Sequence, residues 1–473
     1  MIILKFNGIK KKYLKVVRGR KRPTWAPVER NLMSVTGMPG AYLNNNNIQV
    51  RIIEVPVVIL SDSFSDLQKV KEDMAEWLIH DEAKELVFED EPDRVYFALV
   101  HGELDLVELV GVGSGVITFI CPDPFKYGKE QTESFTSDML TLPYNGTAPA
   151  SPIFELEVLK PVTFAMVQNQ FSEYQMIGTP IDVDTQVVDK TTPIIFEYGQ
   201  SLDDWYTPSG DWTGTFATTE NAIVIGKWGT GKEWHGAALM KEITPLDDYE
   251  IELYVYLRTE RDDQTFRVST NYYDENMNEL GMLRLWDKTT NQTRKVVEAR
   301  MGPYVGDDIN YLISHRNYNI QGQRVWGGII RVRKEGNKFT FYAARVTQGG
   351  RHVSALTKTY TDVNKEYAGK LKYVRFDIAN FGNTNKPNEV RIEHIKVNKL
   401  AQLNVDQTPY IANPGDKITL NNFKKEILLN GEDVKELKDF GGSFFNLHKG
   451  DNQLVVHPSN SFKATAKWRN RYR

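Results

Sequence analysis

Two-residue alternation, sustained from Leu202 to Leu400 with no helical period, limits what this chain can become. Tyr249, Ile251, Leu253, Val255 and Leu257 alternate with Glu250, Glu252, Tyr254, Tyr256 and Arg258. On a strand this puts one set in a core and leaves the other wet. Phe266-Arg267-Val268 and Leu283-Arg284-Leu285 flank an Asp274-Glu275-Asn276 turn, and residues 329–333 and 339–346 flank Glu335-Gly336-Asn337, the clearest hairpin signal in the chain. Val374, Phe376 and Ile378 alternate again, as do residues 390–397, with a break near His394. The block predicts an all-β sandwich, jelly-roll-like in pattern.

A second constraint is residues 115–128, GVITFICPDPFKYG. Val116, Ile117, Thr118, Phe119 and Ile120 read as a buried strand, which Pro122 and Pro124 end because neither supplies an N–H to the ladder. Upstream are strands and one helix, predicted over residues 61–80. There Leu67, Val70, Met74, Trp77 and Leu78 form one apolar stripe, and Ser63 with Asp66 suits a capped start. Residues 2–6 open the chain as a strand. Residues 86–89 with 94–100, and 104–112 with 116–120, read as hairpins, the second turning at Gly113-Ser114. Gly111, Gly113 and Gly115 resemble a phosphate loop in spacing, but they join strands and do not open a helix. The polar tract at residues 44–47 reads as a hairpin loop before a strand at 48–60, where Pro56 marks an edge or a bulge.

At 473 residues the chain exceeds one ordinary core, so about two to four domains are expected. A net charge of −4 argues against a chain built to coat nucleic acid. The single cysteine, Cys121, cannot form an intrachain disulfide and falls in an apolar strand, which reads as a small core residue made in a reducing compartment. No apolar stretch reaches membrane-spanning length, and the apolar start is too short for a signal peptide. Release by lysis or a cytoplasmic life both fit.

Residues 143–200 and 401–473 are each thin for a sandwich, yet together reach a normal domain of about 130 residues. This predicts one sandwich interrupted by the alternating block. The rival is two tandem sandwiches with a tail. The expected units are 1–130, β-rich with one helix; 131–201, the first part of the interrupted sandwich; 202–400, the insert; and 401–473, the second part. Residues 144–151, YNGTAPAS, read as a linker, and residues 193–198 as a strand closing the first part.

No chemistry-bearing constellation stands out. The eight histidines show no zinc spacing, and no GxSxG occurs. The acid pairs Asp203-Asp204, Asp247-Asp248, Asp262-Asp263 and Asp307-Asp308 are adjacent, so on strands they point to opposite faces, unlike the facing carboxylates of a glycosidase. No enzyme, metal or cofactor is expected. Two features invite binding. Lys10, Lys11, Lys12, Lys15, Arg18, Arg20, Lys21 and Arg22 form a basic arm, read either as a solvated hairpin edge or as a contact for an acidic partner ring. Nucleic acid ranks third, for want of aromatic stacking residues. The block 202–400 holds six of the nine tryptophans. Trp228 and Trp234 sit on one loop, where their rings could stack on sugars; the alternative is that these rings fill the core.

The closing "ITFICPDPFKYG" strand after strands and a helix, together with "GDKITL", "EILLNGEDV", "FFNLHKGDNQL" and "KWRNRYR" at the end, resembles the siphophage distal tail protein (Dit) family. The resemblance implies a homohexameric ring whose N-terminal domains surround the DNA channel and whose galectin-like C-terminal domains face outward. It implies partners in the tail tube protein, the tail-tip hub (Tal) and, in some members, receptor-binding proteins. It places the chain in a virion tail tip on a host that is usually Gram-positive. Shorter members lack the block 202–400, whereas "evolved" members carry carbohydrate-binding-like modules at such places, so host cell-wall polysaccharide joins the implied partners. The runner-up is an adhesin or receptor-binding protein with no ring.

Overall fold

Strands dominate the chain, as the alternation predicts. The computed structural model describes residues 4–61, 63–109, 112–181, 186–210, 212–306, 310–404 and 406–473. Asp307-Asp308, Gly111 and the start of the 2–6 strand lie outside them.

The first unit is a seven-stranded sheet in the order Leu4–Phe6, Lys84–Phe88, Tyr96–Val100, Val112–Cys121, Arg51–Leu60, Leu14–Val16, with Val107–Leu109 also paired to Val112–Cys121. The helix Phe64–Leu78 lays Leu67, Met74, Trp77 and Leu78 into its core, and the Trp77 indole donates to the Phe6 carbonyl at 3.0 Å. The Ser63 hydroxyl caps it by accepting from the Asp66 amide at 3.1 Å.

Three local expectations are corrected here. Residues 44–47 are not a loop but part of strand Tyr42–Ile48, paired with Val28–Met33, because the asparagines alternate sides in register with Glu29, Arg30 and Asn31. Gly113-Ser114 is not a turn but lies inside Val112–Cys121. A Cβ on Gly115 would come within 2.8 Å of the Asp105 carbonyl and 2.9 Å of a Leu106 methyl, so glycine there lets the preceding segment cross over the strand. Pro56 lies in Arg51–Leu60, which has a neighbour on each side. The short strand Leu14–Val16 ends at Val57, so no ladder partner asks Pro56 for an N–H.

The second unit is a sandwich of two sheets: Lys126–Ser134, Phe462–Tyr472, Ile153–Val158, Lys417–Asn421, Glu426–Leu429, Glu432–Asp433 against Met139–Tyr144, Gly450–His457, Phe164–Asn169, Tyr174–Gly178. Ile153–Val158 lies between two strands from the last sixty residues of the chain. Residues 144–151 are no linker. The Tyr144 hydroxyl donates to the Ala148 carbonyl at 2.5 Å and accepts from the Arg471 amide at 2.9 Å, while Ala148 and Ala150 are buried. Asp123, between the two prolines, accepts from Arg471 at 3.0 Å and from the Tyr127 hydroxyl at 2.5 Å, tying the end of the first unit to the last strand.

The third unit packs an eight-stranded sheet on a seven-stranded one around one large core, which includes Trp205 and Trp326. The break at His394 is a bulge: Tyr254 pairs with His394 and Val255 with Ile392, leaving Glu393 unmatched. Strand Thr191–Glu197, expected to close the first half-sandwich, pairs with Glu389–Leu400 of this unit, whose edge offered a ladder partner. The outer face of Tyr249–Arg258 is only partly wet: Tyr254, Tyr256 and Arg258 are half-buried, but Glu250 and Glu252 are buried, because Arg331 covers them and reaches on to Glu432 of the sandwich below. The ingoing and outgoing chains lie side by side, Gln186–Val188 pairing in parallel with Gln407–Pro409.

Candidate functional site

Directly paired residues on neighbouring strands point to the same face. On the seven-stranded sheet of the third unit this makes three rows on the side away from the core. One reads Gly236, Ala379, Arg267, Trp286, Val296. The next reads Ala238, Asp377, Ser269, Arg284, Glu298. The third reads Met240, Arg375, Asn271, Met282, Arg300. Gly236, Ala238 and Ala379 are small, which keeps that corner of the floor low. Trp234 opens strand Trp234–Leu246 beside this floor, with its ring 5.3 Å from Phe381 and 6.2 Å from Trp286, both edge-on.

Three of the floor's arginines are paired with carboxylates. Arg267 donates to Asp377 at 2.9 Å, Arg284 to Glu298 at 2.8 Å, and Arg300 to Glu279 at 2.8 Å. The aromatic rings lie on the guanidinium groups. Arg267 is 5.1 Å from the Trp234 ring and 5.7 Å from that of Trp212, Arg375 is 5.5 Å from Trp212, and Arg284 is 4.7 Å from Trp286. Burial pushes the Tyr273 phenol up to about 12, so it stays a neutral donor at any ordinary pH. Aromatic faces, guanidinium edges and a phenol around a low floor can hold a ring-shaped polar ligand by stacking and hydrogen bonds.

The two tryptophans singled out in the sequence part company. Trp234 joins this face. Trp228 packs against the edge of the core with Lys386 Nζ 5.9 Å from its ring. Trp212, Trp286, Arg267 and Arg375 were given no role by sequence reasoning. The available signal was FRVSTNYY, where every second residue from Arg267 to Tyr273 is polar or amphipathic while Val268 and Tyr272 turn to the core.

The basic arm is divided as well. Lys11 binds Asp73 at 2.6 Å, Lys21 binds Glu54 at 2.7 Å, and Arg20 and Arg22 share Asp90 at 2.5 and 3.2 Å. The Asp73 carboxyl is held below its usual range by hydrogen bonds from Lys11 and Tyr13. Among the described residues, Lys10, Lys12, Lys15 and Arg18 make no ion pair. Just beyond the arm, the ribbon Val28–Met33 with Tyr42–Ile48 is exposed at every position, and Trp25 at its base is 66% exposed. Its exposed side chains include Val28, Leu32, Met33, Tyr42, Leu43 and Ile48.

Among the described residues no three His, Cys, Asp or Glu side chains are placed to hold a metal ion. Asp204, Asp247, Asp248, Asp262 and Asp263 each pair with a lysine or arginine. Cys121 is buried, and burial pushes its thiol up to about 12.

Residues 9–121 match the phage tail protein RIFT-related domain, and residues 380–472 match the siphovirus-type tail component, C-terminal domain. The distal tail protein of Bacillus phage SPP1 is 25% identical over 141 residues, 30% of this chain and 55% of that protein. The chain thus spans about half the length of the curated relative it matches. Among solved structures, SPP1 Dit aligns with a TM-score of 0.34 at 20% identity, over 38% of this chain and 75% of that one. The CBM2 module of the evolved Dit of Lactobacillus casei BL23 phage J-1 aligns with a TM-score of 0.38 at 10% identity, over 46% of this chain and all of that one.

Proposed function

We propose that this chain is a siphophage distal tail protein, in the form carrying an inserted carbohydrate-binding-like module. It is a structural, non-catalytic component of a long-tailed phage's tail tip. Six copies form a ring that joins the tail tube to the hub, and the inserted module meets saccharide on the host wall. The units of this reading are a ring-forming domain over residues 1–130, a carrying sandwich from 131–201 and 401–473, and a module over 202–400. The pairing of Thr191–Glu197 favours starting the module near residue 190.

The observation that carries the ring is the exposed ribbon. A lone two-stranded hairpin is marginal in water, and this one is exposed at every position. A neighbouring copy, approached around a circle, supplies the surface that its apolar residues need. Lys10, Lys12, Lys15 and Arg18, which make no ion pair among the described residues, serve as contacts on the same edge, either to the next copy or to a tail partner. The test is native mass spectrometry of the full chain and of a variant in which residues 28–48 are replaced by a short Gly-Ser turn. The expected result is hexamers for the first and folded monomers for the second. Monomers for both at all salt concentrations, or hexamers for both, overturn it.

Saccharide contact rests on Trp234 with its aromatic and guanidinium neighbours. Trp228, against the core edge, is a supporting residue of the same module. Trp234→Ala is expected to abolish retention on purified host walls, and retention equal to wild type overturns that assignment.

A further inference from the structure

We propose that the outer face of the module's seven-stranded sheet takes an acidic saccharide, one bearing a carboxylate or a phosphate, bound at Arg375. The proposal rests on the saccharide reading above and names its ligand class.

The argument is a count of charge on one face. Asp377 is fully buried and stands between two guanidinium groups. Arg267 takes it with both Nε and Nη2 at 2.9 Å. Arg375 reaches its other oxygen only at 3.5 Å and spends a shorter bond, 2.6 Å, on the neutral Asn271 side-chain oxygen. One carboxylate cannot neutralise both arginines, while Arg284 and Arg300 have carboxylates of their own. Among the described residues Arg375 is therefore the surplus cation, and its buried Nε has no hydrogen-bond partner there. Lys288, 3.8 Å from the Phe381 ring, adds a second cation at the rim that makes no ion pair among the described residues.

Geometry selects the ligand. The Arg375 guanidinium has the Trp212 and Tyr273 rings beside it, 5.5 and 5.9 Å from it to their centroids. Stacking engages the faces of a guanidinium, and with Nη2 given to Asn271 and Nε buried, Nη1 is the N–H group left to meet an oxygen of a carboxylate or phosphate. Trp234 lies along the same floor as a stacking surface for the sugar ring that carries the acid. A neutral saccharide would leave Arg375 half-buried without its anion, so the acidic group supplies affinity as well as selectivity.

The full-length protein is tested for retention on purified walls of the bacterium the phage infects, in three forms: untreated, carboxyl-reduced with carbodiimide and borohydride, and stripped of phosphodiesters with cold hydrofluoric acid. The expected result is a fall of about tenfold or more on one treated wall, which also tells carboxylate from phosphate. Arg375→Gln lowers retention on untreated walls to the same level and makes it insensitive to that treatment. Arg375→Lys keeps the charge but loses the planar group beside the rings, and falls between. Equal retention of wild type on all three walls overturns the acidic ligand and leaves saccharide binding standing, as does a treatment effect that Arg375→Gln retains in full. No retention on any wall overturns both. Should Arg375→Gln melt well below wild type, Lys288→Gln on the rim replaces it, with a smaller fall of about two- to threefold expected.

Discussion

Glu252 is buried and charged. His394 Nε2 lies 2.9 Å from one of its oxygens and Arg331 Nη1 3.2 Å from the other, with Lys396 at 3.6 Å. Burial alone would raise its pKa, but these three partners outweigh it and bring the carboxyl from 4.5 down to about 2. A carboxyl held low in the fold contributes stability in full above its unfolded pKa. That contribution drains away as pH falls from about 5 towards 2, and amounts to roughly 3 kcal/mol. His352, pushed below its usual range mainly by burial, acts in the same direction, since the unfolded chain takes up its proton first. Urea denaturation at pH 7, 5 and 3 is expected to show this loss. Glu252→Gln, although less stable at pH 7, is expected to show a much flatter profile below pH 5; an unchanged slope would exclude Glu252 as the source. The alternation of Ile251 and Leu253 was legible in the sequence, but the fate of Glu252 was not. Strand periodicity says which side chains share a face, and only docking of another unit says whether that face is dry.

Gly115 shows the same division for a strand. The apolar run from Val116 to Ile120 and its stop at Pro122 could be read directly, because both follow from what a ladder needs. The residues that lie across the strand could not. Gly115→Val drives a side chain into the Asp105 carbonyl and the Leu104 and Leu106 methyl groups, all within 3.0 Å of an added Cβ. It is expected to cost about 1–3 kcal/mol, read as a lowered urea midpoint with little change in slope. Gly336→Ala, at φ +61° with open space around it, is expected to cost only about 1 kcal/mol, from backbone conformation alone. A Gly115→Val variant no less stable than Gly336→Ala would mean that the crossing segment moves aside freely. The helix was legible almost to its ends because its stripe and Ser63 cap are local signals. The ribbon Val28–Met33 with Tyr42–Ile48 was not, since its asparagines are poor strand formers and hold their place by cross-strand pairing, as in Arg30 to Asn46 at 3.0 Å.

How the module sits on its carrier is decided by two anchors. The first is the linker pair: the Gln186 amide donates to the Asp406 carbonyl at 2.7 Å, Tyr410 to Val188 at 3.1 Å, and Ala401 to Lys190 at 2.8 Å. Counting residues could suggest that the ends of an insert meet, because a sandwich split in two must be rejoined. The second anchor lies elsewhere and has no sequence signature, as its partners are 75 to 101 residues apart. Arg331 bridges Glu252 of the module to Glu432 of the sandwich, Arg351 pairs with Glu426, and the His352 amide donates to the Gly431 carbonyl at 3.0 Å. Gly431, at φ +85°, has no room for a side chain, since a Cβ would fall 2.0 Å from the Gly350 carbonyl. These ion pairs are partly buried, so salt screens them less than surface pairs, and removing one partner strands the other. With one anchor a module swings; with two, its outer sheet face keeps a fixed direction relative to the sandwich. A Glu426→Gln, Glu432→Gln double variant is therefore expected to keep both units folded while the His352 amide exchanges at least tenfold faster and small-angle scattering reports a larger radius of gyration. Unchanged exchange and radius would mean that the linker pair alone fixes the module's direction, and that the arginine and glutamate pairs are not a second anchor.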